Sequence, residues 1–172
     1  MKDKRFIYIR GLPGTGKITV ARILRKKLKY HLFWFHDIKN SVYKVVKEHR
    51  IPELMDDTTL PILKYLLTRS KPIIYVRPSS TPRGIDKVKS LVKKYGYQFD
   101  VVTLSTSYDQ LLKRISKRRG NYRVSNKKDL DQYISDKKIS FSNYKMIGIN
   151  IDTTRLKPEQ VADKIIKKLK LN

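Results

Sequence analysis

The sequence predicts an α/β fold, a parallel sheet covered by helices on both faces, and three observations predict it. Short apolar runs alternate with stretches of helical periodicity along the whole chain, as a buried parallel sheet with crossover helices requires. The first apolar run leads through a glycine-rich loop directly into an amphipathic helix. The length of 172 residues suits one domain with a sizeable core, so a single domain over residues 1–172 is expected.

The first run is Phe6-Ile7-Tyr8-Ile9, and Val20, Ile23, Leu24 and Leu28 mark one face of the helix beyond it. Between them lies Arg10-Gly-Leu-Pro-Gly-Thr-Gly-Lys-Ile-Thr19, with the Gly11-x-x-x-x-Gly16-Lys17 spacing of a phosphate-binding loop. Gly11, Gly14 and Gly16 can take backbone conformations closed to other residues, which lets successive N–H groups turn inward around a polyphosphate. A helix opening near Lys17 adds the positive end of its dipole, and the Lys17 ammonium can bridge the outer phosphates. The candidate nucleotide-binding residues are therefore Gly11, Gly14, Thr15, Gly16, Lys17, Ile18 and Thr19. A plain Gly/Pro turn would share the glycines but has no need of the lysine at this spacing.

One position departs from the motif. The residue after the lysine is normally Ser or Thr, whose hydroxyl ligates Mg²⁺, and here it is Ile18. Thr19 is one step further, rotated by about 100° around the helix, so it does not simply replace the missing hydroxyl. The metal ligands are left unknown: either phosphates, waters and other residues hold the ion, or the loop binds nucleotide without fast chemistry.

Further along, Leu32-Phe33-Trp34-Phe35 reads as a second strand, followed by His36, Asp37 and a helical pattern through Ile38, Val42, Val45 and Val46. Asp37 sits at a strand-to-helix junction, where it can cap the helix and also face a cleft. A helix from about Thr59 to Arg69 is expected with Pro61 in its first turn. Ile73-Ile74-Tyr75-Val76 is the third strand, and Arg77 stands where nucleotide-hydrolysing proteins with this loop often place a metal-anchoring Asp. Thr81-Pro82 opens a helix with Val88, Leu91, Val92 and Tyr95 inward, closed by Gly96. Phe99 to Leu104 is the fourth strand. Ser107 and Gln110 have capping-box spacing for a helix running to Arg119. Another helix spans about Lys127 to Asp136, Met146 to Ile151 is the fifth strand, and Pro158 opens the last helix.

Charge separates the possible partners. Lys and Arg number 40 against 15 Asp and Glu, a net charge of +25 that attracts nucleic acid, nucleotides or anionic membrane. A lysine-rich surface of genomic or thermal origin has the same composition. From Gln110 to Lys128 there are eight basic residues and no acid, Arg114 and Arg118 among them on one helix face. Such a run can be a solvated surface, but beside a phosphate loop it reads as a mobile lid over phosphates, at about residues 117–128. The absence of cysteine excludes disulfides, thiolate zinc sites and cysteine nucleophiles. No stretch approaches the roughly 20 apolar residues of a spanning helix, and no signal peptide precedes the first strand, so a cytoplasmic protein without membrane partners is expected.

The chain resembles small P-loop kinases, nearest to the kinase domain of phage-type polynucleotide 5'-hydroxyl kinases, within a group that includes zeta-toxin-like and small-metabolite kinases. The resemblance rests on Gly11 to Lys17, on Asp37, on Gln110-Leu-Leu-Lys-Arg-Ile-Ser-Lys-Arg-Arg-Gly120, and on Ile151-Asp-Thr-Thr154 with Pro158-Glu-Gln-Val-Ala162. It implies a three-layer fold with a five-stranded sheet in the order 2-3-1-4-5. It also implies ATP or GTP with Mg²⁺ as cofactors, and transfer of the γ-phosphate to a hydroxyl, that of an RNA or DNA 5' end given the charge. Asp37 would be the general base and Lys17, Arg118 and Arg114 the catalytic cations. Asn40 stands where the group often has an arginine, so Lys39 or Lys44 would supply charge for an acceptor phosphate. The alternative, suggested by Ile18 and Arg77, is a nucleotide- or nucleic-acid-binding protein that has lost its metal ligands.

Overall fold

Two facing cores arise from the alternation along the strands. In β1 (Arg5–Gly11), Ile7 and Ile9 point to one face of the sheet and Phe6 and Tyr8 to the other, and all four are fully buried. The computed structural model describes residues 4–36, 41, 45, 52–77, 82–117, 124–136 and 147–171, with 52–57 and 82–83 as backbone. Strands β2 (His31–Trp34), β3 (Ile73–Val76), β4 (Gln98–Ser105) and β5 (Ile149–Asp152) join β1 in one parallel sheet of order β2-β3-β1-β4-β5. This is the order that the kinase resemblance implied.

Against the Ile7 and Ile9 face pack α1 (Lys17–Leu28), through Val20, Ala21 and Leu24, and α6 (Pro158–Leu169), through Val161, Ala162 and Ile165. Against the opposite face pack α2 (Pro52–Thr68), through Leu63 and Leu67, and α3 (Pro82–Lys94), through Ile85, Val88 and Val92. Here Tyr8 meets Tyr75 edge-on at 5.1 Å, and Phe6 stacks on Phe99 at 5.7 Å. A third cluster lies at the loop end of the sheet. Leu12 packs there with Leu111 and Ile115 of α4 (Tyr108–Ser116), Val124, and Leu130 and Tyr133 of α5 (Lys127–Asp136). This small core binds the phosphate loop to the basic helix.

Several expected boundaries shift. Strand β2 ends at Trp34, and the buried Phe35 is already helical. Helix α2 begins at Pro52 rather than near Thr59, so Pro61 lies inside it instead of in its first turn. Pro52 at the start has the pre-set φ of a first helical residue, and burial of Leu63 and Leu67 carries the helix past the second proline. Strand β5 starts at Ile149 because Gly148 takes a φ of +77°, where an added Cβ would stand 2.2 Å from the Val101 carbonyl oxygen. Ser41 and Val45 are helical as expected, but Val45 is 82% exposed. The rest of that helix, Thr81, Met146 and the lid residues Arg118 to Arg123 lie outside the described residues.

Candidate functional site

The glycine loop connects β1 to α1 at the C-terminal edge of the sheet, where the strand order reverses around β1 and where ligands of open α/β sheets bind. Gly11 has φ +153°, and a Cβ there would lie 2.5 Å from the Leu104 carbonyl oxygen and 2.6 Å from Thr15 Oγ1. At Gly14, φ +93°, a Cβ would meet Leu111 Cδ2 at 2.9 Å. Gly16, φ 86°, is the residue from which α1 departs, and its side-chain space is open. The loop is thus closed on the sheet side and against α4, and open at the helix N-terminus, the end of a helix whose amides suit an anion.

Side chains brace this shape. Thr15 is buried, and its hydroxyl donates to the Leu12 carbonyl at 2.9 Å. The Lys17 ammonium folds back across the loop and donates to the same carbonyl at 2.7 Å. Ile18 is half-buried in the first turn of α1, whereas Thr19 is exposed, as the rotation between neighbouring helical positions requires.

Arg114 reaches the loop from α4. Its Nη1 donates to Thr153 Oγ1 at 2.9 Å and to the Gly14 carbonyl at 3.4 Å, and its Nη2 donates to the Thr153 carbonyl at 2.7 Å. Burial holds its pKa below the ordinary arginine value, and the nearby Asp152 charge acts the other way. Thr153, itself buried, also donates to the Ser105 carbonyl at 3.0 Å. Asp152 accepts from the Thr154 amide at 2.8 Å, and Thr154 Oγ1 accepts from the Ser107 amide at 3.0 Å. Ser107 in turn caps α4 by accepting from the Gln110 amide at 3.4 Å, as its spacing predicted. The tip of β5 and the start of α4 therefore form one hydrogen-bonded shelf beside the loop.

The structure brings Gly11, Gly14, Thr15, Gly16, Lys17, Ile18 and Arg114 together. Asp37 and Arg118, with Lys39, Asn40 and Lys44, lie outside the described residues. Two contributors went unremarked in the sequence. Thr153 had drawn notice only as part of a closing strand. Arg10 ends β1 one residue before the loop and is only 4% exposed; its one signal is a cation finishing an otherwise apolar strand.

The expected Mg²⁺ can be tested against the donor chemistry. The two positions that normally hold it carry an alkyl group, Ile18, and a half-buried cation, Arg77. No group of three His, Cys, Asp or Glu side chains suited to a metal ion occurs among the described residues. The described side chains do not fit a protein-held Mg²⁺, whereas the described cations suit an anion.

A family model described as an AAA domain matches residues 6–135. The chain belongs to this family. A nucleotide-binding protein of Pseudothermotoga lettingae is 27% identical over 94% of this chain. The chain spans 53% of that relative's length. A probable thymidylate kinase of Methanocaldococcus jannaschii is 27% identical, with 99% of this chain and 98% of that one covered. A sugar kinase from a Janibacter species has the same fold at a TM-score of 0.69 and 16% identity, covering 98% of this chain and 95% of the other. The family is that of the AAA domain, and the fold is shared with the sugar kinase. No helix among the described residues is long and apolar enough to cross a membrane.

Proposed function

We propose that the protein is a P-loop kinase that transfers the γ-phosphate of ATP or GTP to a hydroxyl, and that the hydroxyl is the 5' end of RNA or DNA. The observation that carries the reading is the convergence of Lys17 and Arg114 on one glycine loop, each bonded to a loop carbonyl. Charge at this spacing suits a polyphosphate, and in-line phosphoryl transfer asks a protein chiefly for positioning and electrostatics. The net charge of +25 supports a polyanionic acceptor over a neutral metabolite.

In this proposal Lys17 exchanges the Leu12 carbonyl for the β- and γ-phosphates. Arg114, with Arg118 of the basic lid at residues 117–128, stabilises the charge on the transferring group. The acceptor oxygen forms the new bond to the γ-phosphorus as the bond to the β–γ bridging oxygen breaks. Asp37 takes the hydroxyl proton. Ile18 and Arg77 favour a second reading, a binding protein whose loop holds nucleotide without turnover.

Incubation with γ-labelled ATP or GTP and 5'-hydroxyl oligonucleotides, with and without Mg²⁺, separates the two. The kinase reading expects label on the oligonucleotide, lost in Lys17→Ala and reduced at least about 100-fold in Asp37→Asn. Nucleotide binding without any label transfer would leave the second reading standing.

A further inference from the structure

We infer that the site binds nucleotide polyphosphate free of divalent metal in preference to the Mg²⁺ complex, with arginines at the strand tips supplying positive charge in its place. The inference rests on nucleotide binding at the glycine loop and adds the charge state of the ligand.

Ile9 of β1 pairs with Val76 of β3, so Arg10 and Arg77 occupy the next step on two adjacent strands. The Arg77 amide donates to the Ile9 carbonyl at 3.2 Å, which continues the ladder to that step. By the alternation of the strands, both arginines fall in line with Tyr8 and Tyr75, on the same sheet face. Arg10 is nine-tenths buried and Arg77 half-buried, at the edge from which Gly11 begins the loop. The half-buried Arg77 guanidinium is screened less than one in open water, so an anion arriving there is attracted and a divalent cation repelled.

The same step of β3 is where an acidic metal anchor would stand, so the exchange does more than remove a ligand. It reverses the sign of the charge. Ile18 then removes the hydroxyl that would ligate the ion from the other side. Lys17 and Arg114 add two cations at the loop itself, each bonded to one of its carbonyls. Free ATP carries more negative charge than its Mg²⁺ complex and gains more from such a set.

The test is nucleotide affinity, measured with a fluorescent ATP analogue at constant ionic strength, in excess EDTA and in saturating Mg²⁺. The wild type is expected to bind about tenfold tighter in EDTA, and Arg77→Asp combined with Ile18→Ser to reverse the preference. Should the double variant not fold, Arg77→Gln alone is expected to narrow the difference. Equal or tighter wild-type binding in Mg²⁺ overturns the inference and leaves nucleotide binding intact. Absence of binding under both conditions overturns the inference together with the kinase reading.

Discussion

The Arg114 guanidinium holds Thr153 by both of its oxygens, the hydroxyl at 2.9 Å and the carbonyl at 2.7 Å. A helix of the basic run is thereby fastened to the tip of β5, and through the Gly14 carbonyl to the phosphate loop. Hydrogen bonds to a charged donor contribute more than neutral ones, about 1.5–3 kcal/mol each, and Thr153 lies where water does not replace them. Thr153→Val keeps the shape and the carbonyl bond but removes the hydroxyl. It should cost about 1–3 kcal/mol in urea denaturation and weaken nucleotide binding, because the Arg114 side chain loses one of its three hydrogen bonds. Unchanged stability would mean that the hydroxyl contact carries little.

The three loop glycines should respond to alanine in order of crowding. Gly16→Ala meets only the cost of a positive φ, about 1 kcal/mol, since nothing lies within 4 Å of the added carbon. Gly14→Ala adds contact with the movable Leu111 side chain. Gly11→Ala drives a carbon to 2.5 Å from a backbone oxygen of β4, which has no rotamer in which to escape. Thermal melts of the three variants should fall in that order, Gly11→Ala lowest, and nucleotide affinity should follow.

Much of this architecture was legible in the chain, for physical reasons that also explain what was not. Phe6 to Ile9 and Ile73 to Val76 are apolar on both faces because helices cover both, and continuous apolar runs betray such strands. The glycine spacing revealed the loop because few other backbones need those conformations. Gly148 hid the true start of β5, since the apolar run continues through the residue whose φ interrupts it. Arg10 was illegible, because a cation at a strand end ordinarily marks exposure and only the surrounding fold buries it. The contact of Arg114 with Thr153 joins residues 39 apart, which no local pattern encodes.

Acid and alkali should both loosen the joint between α4 and α5. Asp131 accepts from Lys127 at 2.6 Å and from the Tyr108 hydroxyl, and these bonds hold its carboxyl below the ordinary value of 3.8. A depressed carboxylate contributes stability above its unfolded pKa, and loses it as pH falls through the folded one. The Tyr108 hydroxyl is raised by the same bond to Asp131, so its contribution is present below the ordinary tyrosine value and disappears as pH rises through the folded value. Carbon-detected NMR titration should find the Asp131 midpoint below 3.8, and Lys127→Ala should move it upward. A midpoint indifferent to Lys127→Ala would deny the ion pair its part.

Pro61 offers a gain rather than a loss. It lies inside α2 and is exposed, so its ring fills no core space, while its missing N–H leaves one carbonyl of the preceding turn without the usual helical donor. A proline in a helix interior costs about 3 kcal/mol relative to alanine, and its stiffening of the unfolded chain returns about 1 kcal/mol of that. Pro61→Ala should therefore stabilise the protein by about 2 kcal/mol, read as a higher urea midpoint with an unchanged slope. A lower midpoint would show that α2 depends on Pro61 for seating Leu63 and Leu67 against Tyr8 and Tyr75.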